Sequence, residues 1–265
     1  MFKNPKIGIV GLGFVGGAIK ESIDTFSLVL VDKDPNKGTH TFADLMTCEG
    51  VFVCVPSPTA DDGSCDTSIL ESVLEQLKDY KGVIISKVTA PPSVYERLNK
   101  QYPNLVHSPE FLTAANAVMD YMNGRFAIVG GDVLAYRNEA ERIIRLSQSN
   151  LQAVSHCSIK EAALTKYAIN SFLATKVVFM NELYKLAEAQ ESDFNKIAYM
   201  MQLDDRIGNS HLKVPGPDGA FGFGGMCFPK DTSALLKYSE SLGVNLNVLD
   251  SAVKKNTLLR LTEPK

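Results

Sequence analysis

The sequence predicts an α/β fold: a doubly wound parallel sheet followed by an all-helical domain with a long connecting helix. Three observations lead there. Up to about residue 131, short apolar runs alternate with helix-like stretches, the repeat that places a parallel sheet between two helical layers. Gly11, Gly13 and Gly16 form G-x-G-x-x-G between the first run and the helix after it, which makes the sheet Rossmann-type. From residue 158 to residue 191, apolar residues recur at helical spacing with neither proline nor glycine between them.

In chain order, the runs KIGIVGL, SLVLVD, GVFVCV, GVIISKV, NLVHSP and RFAIVGG read as strands, with helical segments such as 67–79 and 93–101 between them. Ser158 with Glu161 three residues later forms a capping box that opens the long helix. The change of character places the domain boundary so that 1–155 is a nucleotide-binding domain and 156–265 a helical one. The second part reads as helices over 193–203, 232–242 and 246–260, with one long loop over 205–231. A loop of that length is uncommon unless it has a function.

The chain has 265 residues, 45% of them hydrophobic, and a formal charge of -3 with both signs mixed. No basic stripe invites nucleic acid, and nothing supports membrane attachment. The segment KNPKIGIVGLGFVGGAIK has the lysines and apolar run of a secretory signal, but glycines at fixed spacing make a poor signal core. Five cysteines without a C-x-x-C pair, and four scattered histidines, argue against a disulfide framework and a zinc site; reduced thiols and a cytoplasmic location are expected.

Several residues carry chemistry. In the glycine motif the first glycine allows the tight turn, the second admits a pyrophosphate, and the third lets helix and strand pack. Asp32 ends the second strand 21 residues after Gly11, where a carboxylate accepts hydrogen bonds from ribose hydroxyls and repels a 2′-phosphate. NAD is therefore expected over NADP, with Lys33 and Lys37 close by as the opposing charges. Lys166 and Asn170 are four apart on the long helix and share a face that suits an oxyanion or a sugar hydroxyl, although a solvated surface pair would look the same. Glu110 in SPEF and Thr89 in KVTAPP follow strands at the edge where ligands of such sheets bind, and either could be an ordinary surface or capping residue. In FGFGGMCFPKD, Cys227 follows Gly219, Gly222, Gly224 and Gly225, with Lys230 nearby to favour the thiolate. A thiolate beside NAD converts an aldehyde to a thiohemiacetal and then, by loss of hydride, to a thioester that water releases as the acid.

At these residues the sequence resembles the UDP-glucose/GDP-mannose dehydrogenase family, most closely its UDP-glucose 6-dehydrogenase branch. The pieces GLGFVG, VPSPT, KVTAPP, SPEFL, EAALTKYAINSFLATKVVFMNEL, DRIG and GFGGMCFPKD occur in the family's order. The resemblance implies a four-electron oxidation of a primary alcohol to a carboxylate, using two NAD per sugar, as a precursor for an acidic polysaccharide. It assigns Cys227 as nucleophile, Asp231 with Lys166 to deprotonation through a water, Lys166 and Asn170 to oxyanions, Glu110 to the hydrolytic water and Thr89 to ordering water and cofactor. By the same resemblance Phe14, Val15, Lys37, Ser57 and Lys230 join the glycines and Asp32 around NAD. Phe111, Leu112, Phe223, Gly224 and, across a dimer interface, the diphosphate-binding Arg206 join Glu110, Lys166 and Asn170 around the sugar nucleotide.

Three departures accompany the match. Ala114 and Ala115 stand where relatives carry glutamate and glycine; the stretch between Arg206 and Cys227 is long; and the sequence stops at Lys265, where the family continues into a second α/β domain that binds UDP. A short member of the family, or a weakly active NAD-binding remnant, is implied by the last. A GDP-mannose dehydrogenase remains an alternative. So does a β-hydroxyacid dehydrogenase, which has similar length and the same lysine and asparagine spacing but needs no cysteine. A homodimer through the helical domain is expected from its apolar faces.

Overall fold

The structure, a computed structural model, describes residues 5–23, 27–113, 115–148 and 150–262. Ala114 lies outside the described residues. The chain packs as two compact units, one running to Pro58 and resuming over Cys65–Lys166, the other comprising Thr59–Ser64 and the chain from Tyr167 onward.

The first unit is built on a seven-stranded sheet in the order β2-β1-β3-β4-β5-β6-β7. Strands β1 (Lys6–Val10), β2 (Ser27–Val31), β3 (Gly50–Val53), β4 (Val83–Ser86) and β5 (Leu105–His107) are parallel, as are β6 (Phe126–Gly130) and β7 (Ala153–Cys157). The β5 to β6 pair is antiparallel, through His107 opposite Gly130, so the sheet departs from the all-parallel expectation at one seam. Helices α1 (Phe14–Ser22), α2 (Phe42–Leu45), α3 (Ser68–Gln76), α4 (Pro92–Gln101), α5 (Ala117–Met122) and α6 (Leu134–Ser147) connect the strands.

Alternation along each strand divides the core in two. Ile7, Ile9, Phe52, Val83, Ile85 and Val106 enter one buried cluster, while Val10, Val51, Val53, Ile84 and Leu105 enter the other. A strand apolar on both faces must be covered on both faces, which is why these runs are continuous rather than alternating in the sequence. β7 escaped the sequence reading because its segment, AVSHC, lies at the sheet edge without a buried residue. The boundary expected at 155/156 therefore falls inside β7. The first unit extends to Lys166 because Ile159 and Ala163, on the next helix, pack into its core.

That helix, α7 (Ile159–Ala189), begins in the first unit and continues through the second. Its capping box forms as expected: the Glu161 carboxylate accepts from the Ser158 N–H at 2.8 Å, and the Ser158 hydroxyl accepts from the Glu161 N–H at 3.3 Å. The second unit adds α8 (Phe194–Gln202), α9 (Cys227–Ser241) and α10 (Asn247–Thr262). α8 is capped by Asp193, whose carboxylate accepts from the Asn195 and Lys196 N–H groups.

α9 corrects the sequence reading, which placed 227–231 in the loop and began the helix at 232. Pro229 has the look of a helix breaker, but it is the third helical residue, where its missing N–H would find no intrahelical acceptor anyway. Cys227 is consequently the first residue of a helix.

Candidate active site

The first unit carries the nucleotide end. The Gly11 N–H donates to Val31 O at 2.9 Å, and with φ +88 its turn lies so close to Cys54 that a side chain would strike backbone. At Gly16 an added Cβ would collide with Gly11 O, so helix α1 sits directly on the turn. The space beside Gly13, the N-cap of α1, is open instead. That is the cradle a pyrophosphate needs at a helix N-terminus, and it fits NAD. Phe14 and Val15 begin α1 at this point, Phe14 well exposed.

Asp32 follows β2. Its carboxylate accepts from Leu12 N at 2.5 Å and from Asp34 N at 2.8 Å. Partial burial works to raise its pKa, but these backbone hydrogen bonds, with Lys37 and Lys33 behind them, hold it below the ordinary carboxylate value. An ionised carboxylate with lone pairs to spare beside the glycine turn suits ribose hydroxyls. Replacing Asp32 with alanine is expected to weaken NAD binding by about 10- to 100-fold, since charged hydrogen bonds are lost, and to narrow the preference over NADP. Calorimetric titration with each cofactor checks this.

Ser57 and Thr89 stand together: the Ser57 hydroxyl donates to Thr89 O at 2.7 Å. Beyond Thr89 the strand ends of β4 and β5 hold a buried charged group. Glu110 and Lys166, 56 residues apart in the chain, meet twice, Lys166 Nζ donating to Glu110 O at 2.6 Å and to Oε1 at 2.9 Å. Glu110 Oε2 accepts from Leu112 N at 2.7 Å, and Lys166 Nζ lies 5.3 Å from the Phe111 ring, which packs on Phe126. Phe111 and Leu112 are thus positioned around the ion pair, Leu112 against the sheet core.

Lys87, which the sequence reading passed over, is 6% exposed and donates to Ser108 Oγ at 3.0 Å. Its ammonium also lies 6.0 Å from the Phe52 ring and 5.9 Å from the Tyr121 ring. Burial pushes its pKa down from 10.5 to about 8. His107 beside it stacks on Tyr95, donates from Nδ1 to Ser86 O at 3.1 Å, and is kept neutral by burial, its pKa driven down to about 3. The folded state binds the Lys87 proton more weakly than the unfolded chain. Below pH 8 both states are protonated and the fold bears a cost of roughly 3 kcal/mol, which is relieved as pH rises from 8 to 10.5. Lys87→Met is therefore expected to be more stable at pH 7 by up to about 3 kcal/mol and to lose the alkaline gain, as measured by urea unfolding at pH 7 and pH 10.

The second unit carries the thiol. Among the five cysteines only Cys227 is exposed, while burial raises the thiols of Cys48 and Cys54 to about 11 and about 12. At the first position of α9, Cys227 lies at the end of the helix that favours negative charge. One turn on, the buried Asp231 accepts from Asn170 Nδ2 at 2.5 Å and from Lys230 Nζ at 2.6 Å. Asn170 is one turn beyond Lys166 on α7, so a single continuous helix carries both.

The Phe223 ring, expected around the substrate, is buried in the second unit's own core, and its N–H and C=O are bound by Asn256, at 2.6 Å and 3.0 Å. Arg260 also donates to Phe223 O at 3.0 Å, and its guanidinium fills the space beside Gly224 that a side chain would need. Gly224 thus serves packing in this structure. Arg206 is exposed and paired with Asp204 at 2.5 Å in its own loop. Lys37 is exposed near Asp32, and Ala115 is exposed. Asn181, Asn256 and Arg260, which order the glycine loop, were missed because an asparagine inside a helix carries no sign in the sequence of being buried. Among the described residues no group of histidine, cysteine and carboxylate side chains could hold a metal, and no helix is long and apolar enough to cross a membrane.

A dinucleotide-binding sheet, a helical unit with an exposed helix-terminal cysteine, and buried lysine, asparagine and carboxylate groups define a dehydrogenase-type architecture. The NAD binding domain of the UDP-glucose/GDP-mannose dehydrogenase family matches residues 36–147, and that family's central domain matches residues 160–258. The chain belongs to this family. It is 31% identical to the putative UDP-glucose 6-dehydrogenase YtcA of Bacillus subtilis over 87% of this chain and 62% of that protein. It is 32% identical to the UDP-glucose 6-dehydrogenase TuaD of the same organism over 80% of this chain and 47% of that protein. The chain thus spans about half to three-fifths of these relatives. Among solved structures, a UDP-glucose dehydrogenase from Pyrobaculum islandicum aligns over 97% of this chain and 68% of its own with a TM-score of 0.82 at 23% identity, a likeness of fold.

Proposed function

We propose that the protein oxidises a nucleotide sugar at C6, UDP-glucose to UDP-glucuronate, through a thioester on Cys227. The observation that carries this reading is the exposed Cys227 at the head of the helix whose next turn presents Asp231, bound to Asn170 and Lys230. Bound NAD supplies the hydride acceptor, twice per sugar. Asp231 with Lys166 takes the hydroxyl proton through a water, and Lys166 and Asn170 stabilise the oxyanions that follow. The Cys227 sulfur adds to the aldehyde to give a thiohemiacetal, whose oxidation leaves the thioester. Glu110 then receives a proton from the attacking water, a C–O bond replaces the C–S bond, and the sulfur departs with its electron pair. Thr89 orders the water and cofactor, and Arg206 meets the diphosphate from a second copy. Purified protein given NAD and a panel of nucleotide sugars should form NADH with UDP-glucose; no NADH with any of them would sink the proposal, and NADH with GDP-mannose alone would reassign the sugar.

The same reading includes a homodimer through the helical part, in the cytoplasm. Phe172, Phe179 and Leu186 recur every seven residues on α7 and are 71%, 56% and 59% exposed, a stripe that suits a second copy of the helix. A monomeric mass by light scattering at working concentration would contradict it.

A further inference from the structure

Beside Glu110 the first unit contains a cleft of about 250 Å³ whose lining includes Lys87, Glu110, Phe111, Asp120, Tyr121 and Gln148. Two of these side chains have polar capacity that the protein leaves unmet. Gln148 is 8% exposed, and its Oε1 is buried with no hydrogen-bond partner. An ammonium has three donors, and the one hydrogen bond described for Lys87 goes to Ser108 Oγ. A buried acceptor without a donor is destabilising, so the group calls for an occupant.

We propose that this cleft is a water site, built on Lys87 and Gln148, that supplies the hydrolytic water to Glu110; the inference rests on the thioester reading above. The occupant must donate to Gln148 Oε1 and accept from Lys87 Nζ, which water does in both directions. The volume exceeds the roughly 10–15 Å³ that one water requires, and the site offers the two to four polar partners that hold it. Glu110 is already oriented for its part. Oε1 is fixed by Lys166 and Oε2 by the Leu112 N–H, and each oxygen keeps a second acceptor position for an incoming water. The aromatic walls, Phe111 and Tyr121, leave the polar groups as the places where water lodges. In the step it serves, one water proton passes to Glu110, the oxygen bonds to the thioester carbon, and the Cys227 sulfur leaves as thiolate. The acid product then ionises to solvent, and no oxidant is required.

The test uses the whole protein with Gln148→Leu, Lys87→Met and, to restore an acceptor, Gln148→Glu. Intact-mass spectrometry during turnover should show the Cys227 acyl-enzyme accumulating in the first two variants. Their acid release should slow about 10-fold, the loss of one water-holding hydrogen bond, while the initial burst of NADH persists. Gln148→Glu should recover part of the rate. Unchanged acid release in both apolar variants would overturn the proposal. A high-resolution crystal structure of the protein alone provides a readout that needs no activity. An ordered water on both Gln148 Oε1 and Lys87 Nζ is expected, and a dry cleft contradicts it. A sugar hydroxyl seated on Gln148 Oε1 in a nucleotide-sugar complex would make the cleft a sugar site instead. Absence of NADH from the unaltered protein would count against the thioester reading, and the crystal structure would still decide whether the cleft holds water.

Discussion

Cys227→Ala is expected to abolish acid formation, lowering its rate by at least about 10³-fold, as removal of a covalent nucleophile does. The protein should still bind NAD, because the Gly11–Gly16 turn and Asp32 belong to the other unit and their hydrogen bonds do not involve the cysteine. The fold should also survive, since Cys227 is exposed and the loss of its side chain opens no cavity. Product analysis by mass spectrometry, alongside calorimetry with NAD, separates these effects. A β-hydroxyacid dehydrogenase, the competing reading that shares the lysine and asparagine spacing, would keep its turnover in this variant. Retained oxidation of an alcohol substrate at the original rate would therefore favour that reading.

Asp231→Asn is expected to have the second largest effect, a fall in kcat of about 10²- to 10⁴-fold with NAD binding preserved. The carboxylate is 1% exposed and receives two donors, one from the Asn170 amide and one from the Lys230 ammonium. An asparagine retains the shape and can still accept from Asn170, but its own amide group then faces Lys230 and leaves that cation without its acceptor. Stability should fall by about 1–3 kcal/mol, the range for a broken, charge-assisted hydrogen bond at a buried site. Urea unfolding and steady-state kinetics on the same preparation measure both. A loss of stability with full turnover would restrict Asp231 to a structural role.

Much of the first unit was legible in the sequence because its signals are local. Five of the strand runs are apolar on both faces and bounded by turn residues, and the glycine spacing with Asp32 specifies the nucleotide turn without any distant contact. β7 was not legible, since AVSHC at a sheet edge lacks the buried positions that mark a strand. The start of α9 was misplaced by Pro229, whose effect depends on its position within the helix and not on its presence.

The site was legible in part. Residue types at Cys227, Lys166, Asn170 and Glu110 suggested chemistry, but the pairs that fix them are formed between residues 56 and 61 positions apart, for Lys166 with Glu110 and Asn170 with Asp231. No period or spacing reveals such a pair. The resemblance places Phe223 around the sugar nucleotide, but it carries no sign that Asn256 and Arg260, more than thirty residues later, hold its backbone while its ring packs in the core. Lys87 was overlooked because a lysine at a strand end normally reaches solvent, and only the packing of Phe52, Tyr121 and Ser108 around it makes it a buried cation.

The most direct measurement is the number of NADH formed per UDP-glucose consumed, with the product identified by mass. Two NADH and UDP-glucuronate are predicted. One NADH with an aldehyde product, or no NADH while NAD still binds, would contradict the cysteine mechanism.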